Sequence, residues 1–115
     1  MKKFALFVFN GDPMCFIHVL LNALDMDKKG WQPRIILEGA SVKLIPELVK
    51  AENPLNKLWT KVVDRNLVEG VCKACSNKLG TLEDAKEQGL TFLGDMSGHP
   101  SMSQYLENDF EIITF

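Results

Sequence analysis

Short apolar runs alternate with helix-length segments along the whole chain. The runs cover residues 3–9 (KFALFVF), 33–39 (PRIILEG), 67–72 (LVEGVC), 90–95 (LTFLGD) and 110–115 (FEIITF). The first is unbroken, as expected of a strand buried on both faces. No Asn-Gly turn joins one run to the next, so the strands cannot be chained as tight antiparallel hairpins. Strands separated by helices are instead joined by right-handed crossovers into a parallel sheet with helices on both faces. The sequence therefore predicts one α/β domain over residues 1–115: three layers, α/β/α, around a mainly parallel five-stranded sheet.

The helix signals fit this scheme. Asp12 precedes Pro13 as an N-cap before a Pro at N1, and that helix runs to about Lys29, stopping at Gly30. Ser41 reads as the cap of a helix through 41–51, with Pro46 in its first turns or splitting it. Residues 53–66 form another helix, 73–80 a short one, 81–89 one with a capping-box-like start at Thr81 and Asp84, and 99–109 the last. The first helix is apolar over a wide arc. Met14, Ile17, Leu21 and Leu24 share one face, and Phe16, Val19, Leu20 and Ala23 widen it. A helix this apolar needs burial on two sides, so Phe16, Val19 and Leu20 are expected at a contact between subunits of a homo-oligomer, with His18 close by. The alternative is a wide core face.

Several classes are excluded. The formal net charge is −2 with no long basic run, which lacks the footprint of a nucleic-acid binder. No apolar stretch is long enough to span a bilayer. The opening MKKFALFVF has an apolar run too short for a signal peptide and no small-residue cleavage site, and three cysteines, an odd number, do not suit a disulfide framework. A cytoplasmic protein is expected. GDMSGHPS lacks the spacing of a nucleotide-binding loop, and no cofactor is expected.

In parallel α/β sheets, sites lie beyond the carboxyl ends of the strands. Those ends carry Asn10, Gly11 and Asp12, then Glu38, then Cys72 and Cys75, then Asp95, Ser97 and His99. Cys72 is the sharpest candidate. It sits where a strand passes into a helix, so backbone N–H groups point at it and its thiolate is expected to be favoured. Cys75 lies one helical turn on, within reach as a disulfide or persulfide partner. Two other readings stay open: half of a zinc site, completed by His99, Cys15 or His18, or small residues filling a tight junction. Asn10, Gly11, Glu38, Asp95, Ser97 and His99 are the candidate ligand contacts; Trp31 and Trp59 lie off the rim and read as packing residues.

The order of these pieces resembles the DsrE/DsrF-like sulfur-relay family, including its TusD and YchN branches. The resemblance rests on the apolar first strand and small-residue turn, on PRIILEGASVKLI, on the cysteine loop GVCKACSNKLG, and on GDMSGHPSMSQYLENDFEIITF at the end. It implies a DsrEFH-like fold and a cytoplasmic homo- or hetero-oligomer, commonly a trimer or hexamer. It further implies a sulfur carrier or sulfurtransferase-like role with partner proteins that donate and accept sulfur. Cys72 matches the family's sulfur-accepting cysteine and Cys75 a second cysteine of some branches. The alternative class is an oligomeric module that binds a small ligand or nucleotide-like anion without turnover.

Overall fold

The computed structural model describes all 115 residues. Five strands form one sheet: β1 (Lys3–Val8), β2 (Gln32–Leu37), β3 (Val68–Cys72), β4 (Phe92–Leu93) and β5 (Glu111–Thr114). Their spatial order is β4-β3-β2-β1-β5, and every pairing is parallel. The register aligns Phe4 to Val8 with Pro33 to Leu37. Six α-helices connect them: α1 (Pro13–Lys28), α2 (Ile45–Leu48), α3 (Asn56–Asp64), α4 (Lys73–Lys78), α5 (Leu82–Glu87) and α6 (Met102–Glu107), with a 3-10 helix at Gly39–Leu44.

The layers are unequal. Phe4, Leu6, Val8, Ile35, Leu37 and Val71 face a twenty-residue core filled from α1, α2, α3, α5 and the 3-10 helix. The opposite face buries Ala5, Phe7 and Ile36 under Tyr105 of α6. Burial of β1 on both faces explains its unbroken apolar sequence.

Helix α1 corrects one expectation. Phe16, Val19, Leu20 and Ala23 are each 0% exposed within the single chain, in the main core. Phe16 packs on Trp59 of α3 with ring centroids 6.2 Å apart. The side of the arc formed by Phe16, Val19, Leu20 and Ala23 is thus taken by the sheet and α3 together, and Phe16, Val19 and Leu20 are not available to another subunit. What α1 presents outward is Met14, 78% exposed, and Leu21, 48% exposed. His18 is exposed.

Three boundaries also differ from expectation. Ser41 does not cap a helix; its hydroxyl donates to the carbonyls of Val8 (2.8 Å) and Glu38 (2.7 Å), tying the 3-10 helix to the end of β1. The regular helix starts only at Ile45, with Pro46 in its first turn, where a missing N–H costs nothing. Thr81 precedes α5 without a side-chain capping bond. Strand β4 is only two residues long, because the chain leaves the sheet edge at Gly94 for a loop that reaches back over β3.

Candidate functional site: two thiols and an imidazole

Cys72 ends β3 and is at once the N-cap of α4; its Sγ accepts from the Cys75 N–H at 3.4 Å. The i, i+3 spacing on α4 places Cys75 one turn above it. The third member arrives from the loop after β4. Met96, Ser97, Gly98 and His99 form a tight antiparallel turn closed at both ends, Met96 N to His99 O at 2.8 Å and His99 N to Met96 O at 2.9 Å. Ser97 (φ 51°) and Gly98 (φ 90°) both lie in the left-handed region, as the central residues of a type I′ turn do. A Cβ at position 98 would also stand 3.1 Å from the Cβ of Ala74. Glycine lets the Gly98 carbonyl approach α4 and accept from the Ala74 N–H at 2.9 Å.

This turn aims His99 at the thiols. Its Nδ1 lies 3.1 Å from Cys72 Sγ and 3.8 Å from Cys75 Sγ. The Gly98 carbonyl lies 3.7 Å from Cys72 Sγ. All three ligand atoms fall within 4.8 Å of one another. Cys72 is buried, while Cys75 and His99 are half-buried.

The electrostatics overturn the expected thiolate. Burial pushes the Cys72 thiol up to about 12, and the neighbouring Cys75 and Glu38 push in the same direction. The Cys75 N–H opposes this, but the desolvation of a fully buried sulfur is the larger effect. The N-terminal amides of a six-residue helix do not compensate for the loss of water. At rest Cys72 is therefore a thiol with the His99 ring 3.1 Å from its sulfur, an arrangement in which a base takes the proton as the sulfur attacks.

The other rim residues separate into two groups. Glu38, at the end of β2, is 7% exposed, and burial raises its carboxyl while nearby His99 lowers it. Glu38 and His99 thus join the cysteines electrostatically. Asn10, Gly11, Asp95 and Ser97 do not. Asn10 Oδ1 accepts from the Asp12 N–H at 2.8 Å, and Asp95 Oδ1 accepts from the Ser101 N–H at 3.2 Å, so both shape loops. Ser97 is exposed and serves the turn. Gly11 is needed for packing, since a Cβ there would meet the Ala40 carbonyl oxygen at 2.7 Å. Cys15 and His18 are exposed on α1 and take no part in the cluster. The tight turn was not read from the sequence; the Ser-Gly dipeptide at 97–98 is the signal that marks it.

Two depressions flank the loop. One, of about 390 Å³, is lined by Phe9, Glu38, Met96, Pro100, Ser101, Met102 and Ser103. The other, of about 540 Å³, is lined by Lys73, Ala74, Asn77, Leu82, Gly94 and Gly98.

No protein-family model matches the chain. The known structure of BT1422 from Bacteroides thetaiotaomicron, a conserved protein of unknown function, aligns with a TM-score of 0.70 over 98% of this chain and 95% of that one, at 20% identity. That likeness shows a shared fold. An uncharacterized protein of Archaeoglobus fulgidus is 40% identical over 37 residues, 32% of this chain and all of the relative. Uncharacterized protein MJ0733 of Methanocaldococcus jannaschii is 34% identical over 97 residues, which span 84% of this chain and 77% of the relative. The chain belongs to the same family as MJ0733.

Proposed function

We propose that the protein is a sulfur carrier that holds sulfur as a persulfide on Cys72, with His99 as the proton acceptor and Cys75 as the exchanging thiol. The observation that carries this reading is the 3.1 Å approach of His99 Nδ1 to Cys72 Sγ. As Cys72 Sγ attacks the outer sulfur of a donor persulfide, its proton passes to Nδ1. The donor S–S bond breaks, and the departing donor thiolate takes that proton from the imidazole. One S–S bond forms and one breaks, with no net oxidation. Cys75 takes the outer sulfur by the same exchange, or closes a Cys72–Cys75 disulfide and releases it as hydrogen sulfide. The buried position of Cys72 keeps bulk water from the loaded sulfur. The resemblance of the cysteine loop to sulfur-relay proteins supports the same reading, and with it donor and acceptor proteins and a cytoplasmic setting. No helix of the chain is long and apolar enough to cross a membrane.

Intact-mass measurement after incubation with a persulfide donor tests it. The wild type gains one sulfur atom and Cys72→Ser gains none. His99→Ala loads about 100-fold more slowly, the lower end of what a positioned base contributes. A gain that survives Cys72→Ser removes the site from Cys72.

A homo-oligomer, trimeric or hexameric, belongs to the same proposal. Its contact on α1 would use Met14 and Leu21. Light scattering on Met14→Glu/Leu21→Glu should shift towards the monomer; an unchanged mass removes α1 from the contact.

One observation favours a second reading, a soft divalent cation held by the same three residues. Sulfur and nitrogen ligands within 4.8 Å of one another suit one face of a tetrahedral site with an open fourth position, and a bound metal would deprotonate the buried thiol outright. Metal analysis of protein purified without chelator decides: one zinc per chain, lost in Cys75→Ser, supports this reading, and substoichiometric zinc ends it.

A further inference from the structure

Glu38 is a carboxylate with no counter-ion in contact. It is 7% exposed. Although it precedes the 3-10 helix, its side chain makes no capping bond there. The chain's three ion pairs are Arg34–Glu69, Lys50–Glu47 and Arg65–Asp27, so no Lys, Arg or His nitrogen lies within 4 Å of the Glu38 carboxylate. Its oxygens are not among the chain's buried unpaired polar atoms, which are Ser76 Oγ and Thr81 Oγ1, so they meet open space, and a carboxylate held this deep gains from a cationic partner there. Its surroundings show where that partner would sit. Glu38 lines the 390 Å³ cavity whose other walls are Phe9, Met96, Pro100 and Met102 with two serines. Ser101 Oγ and Ser103 Oγ are 2.7 Å apart and offer further acceptor lone pairs. No lysine or arginine lines the cavity, and the carboxylate of Asp95 is held nearby by the Ser101 N–H.

We infer that this cavity binds a small primary-ammonium compound with an apolar body, its ammonium paired with Glu38 and its carbon chain against Phe9, Met96 and Met102. The chemistry fits in charge and in shape. An ammonium has three donors, which the Glu38 carboxylate and the lone pairs of the two serine hydroxyls can accept, while the apolar walls lower the local dielectric and strengthen the pair. A nucleotide-like anion, expected from the rim residues as one ligand class, meets a carboxylate and no cation here. The inference stands whether or not Cys72 carries sulfur, because none of its lining residues is a cysteine.

Titration with n-butylammonium chloride, followed by amide ¹H–¹⁵N correlation spectra, tests it against n-butanol and sodium butyrate at matched ionic strength. The expected result is saturable shifts at Phe9, Met96, Ser101 and Met102 with butylammonium, roughly tenfold weaker binding of butanol, and none of butyrate. Glu38→Gln should bring the ammonium down to the level of the alcohol. Met96→Lys, at a residue 53% exposed and so tolerant of exchange, places a tethered ammonium at the cavity mouth. It should block the free one, and it carries the test if Glu38→Gln does not fold. Butyrate binding as well as butylammonium, no saturable shift with any probe, or full affinity retained in the folded variant would each overturn the inference. A failure to load sulfur on Cys72 would leave these shifts untouched and would count against the carrier proposal alone.

Discussion

The resting state of Cys72 can be tested by its rate of alkylation. With the thiol raised from 9.0 to about 12, it carries about a thousand times less thiolate at pH 7 than an unperturbed cysteine. A more basic thiolate is also a better nucleophile, and a Brønsted slope of about 0.4–0.5 returns roughly 20-fold. The net expectation is about 50-fold slower reaction than an unperturbed thiol, before any steric protection of a fully buried sulfur. Cys15, exposed on α1, provides the internal reference. Native protein is treated with iodoacetamide for graded times at several pH values, quenched, and analysed by peptide mass spectrometry. The Cys72 rate should still be climbing at about pH 10, past the range where an ordinary thiol levels off. Labelling of Cys72 as fast as Cys15 at pH 7, or a plateau below about pH 8.5, would refute the reasoning. Burial would then not be the dominant effect on the Cys72 sulfur.

Other outcomes follow from the same structure. Because the folded state binds the Cys72 proton more tightly than the unfolded chain, its contribution to stability is complete below about pH 9. It is lost as pH rises towards 12, so urea midpoints should fall over that window, and fall less in Cys72→Ala. Phe16→Ala should cost about 3–5 kcal/mol in chemical denaturation, against about 0.5 kcal/mol or less for Met14→Ala; equal costs would contradict the core assignment of Phe16. Gly11→Ala forces its Cβ onto the Ala40 carbonyl, and should cost about 1–3 kcal/mol, visible as a lower Tm; an unchanged Tm would mean that the loop yields freely.

The alternation of apolar runs and helices determined the α/β class, because a parallel sheet needs a crossover between strands and that need is written into sequence spacing. It also placed Glu38 and Cys72 at the carboxyl ends of β2 and β3, because each closes its apolar run in the chain. Three things were decided only by tertiary structure. Which side of α1 is buried depends on α3, distant in sequence, so an apolar helix could not by itself distinguish a subunit contact from a core face. The charge state of Cys72 depends on desolvation, which is set by everything packed around it; the local sequence shows only the helix amides that oppose it. The pairing of His99 with Cys72 spans 27 positions and rests on two residues, Ser97 and Gly98, whose left-handed backbone turns the loop back over β3. Sequence spacing carries local periodicity well, but a contact across that distance is fixed by where the sheet places its strand ends.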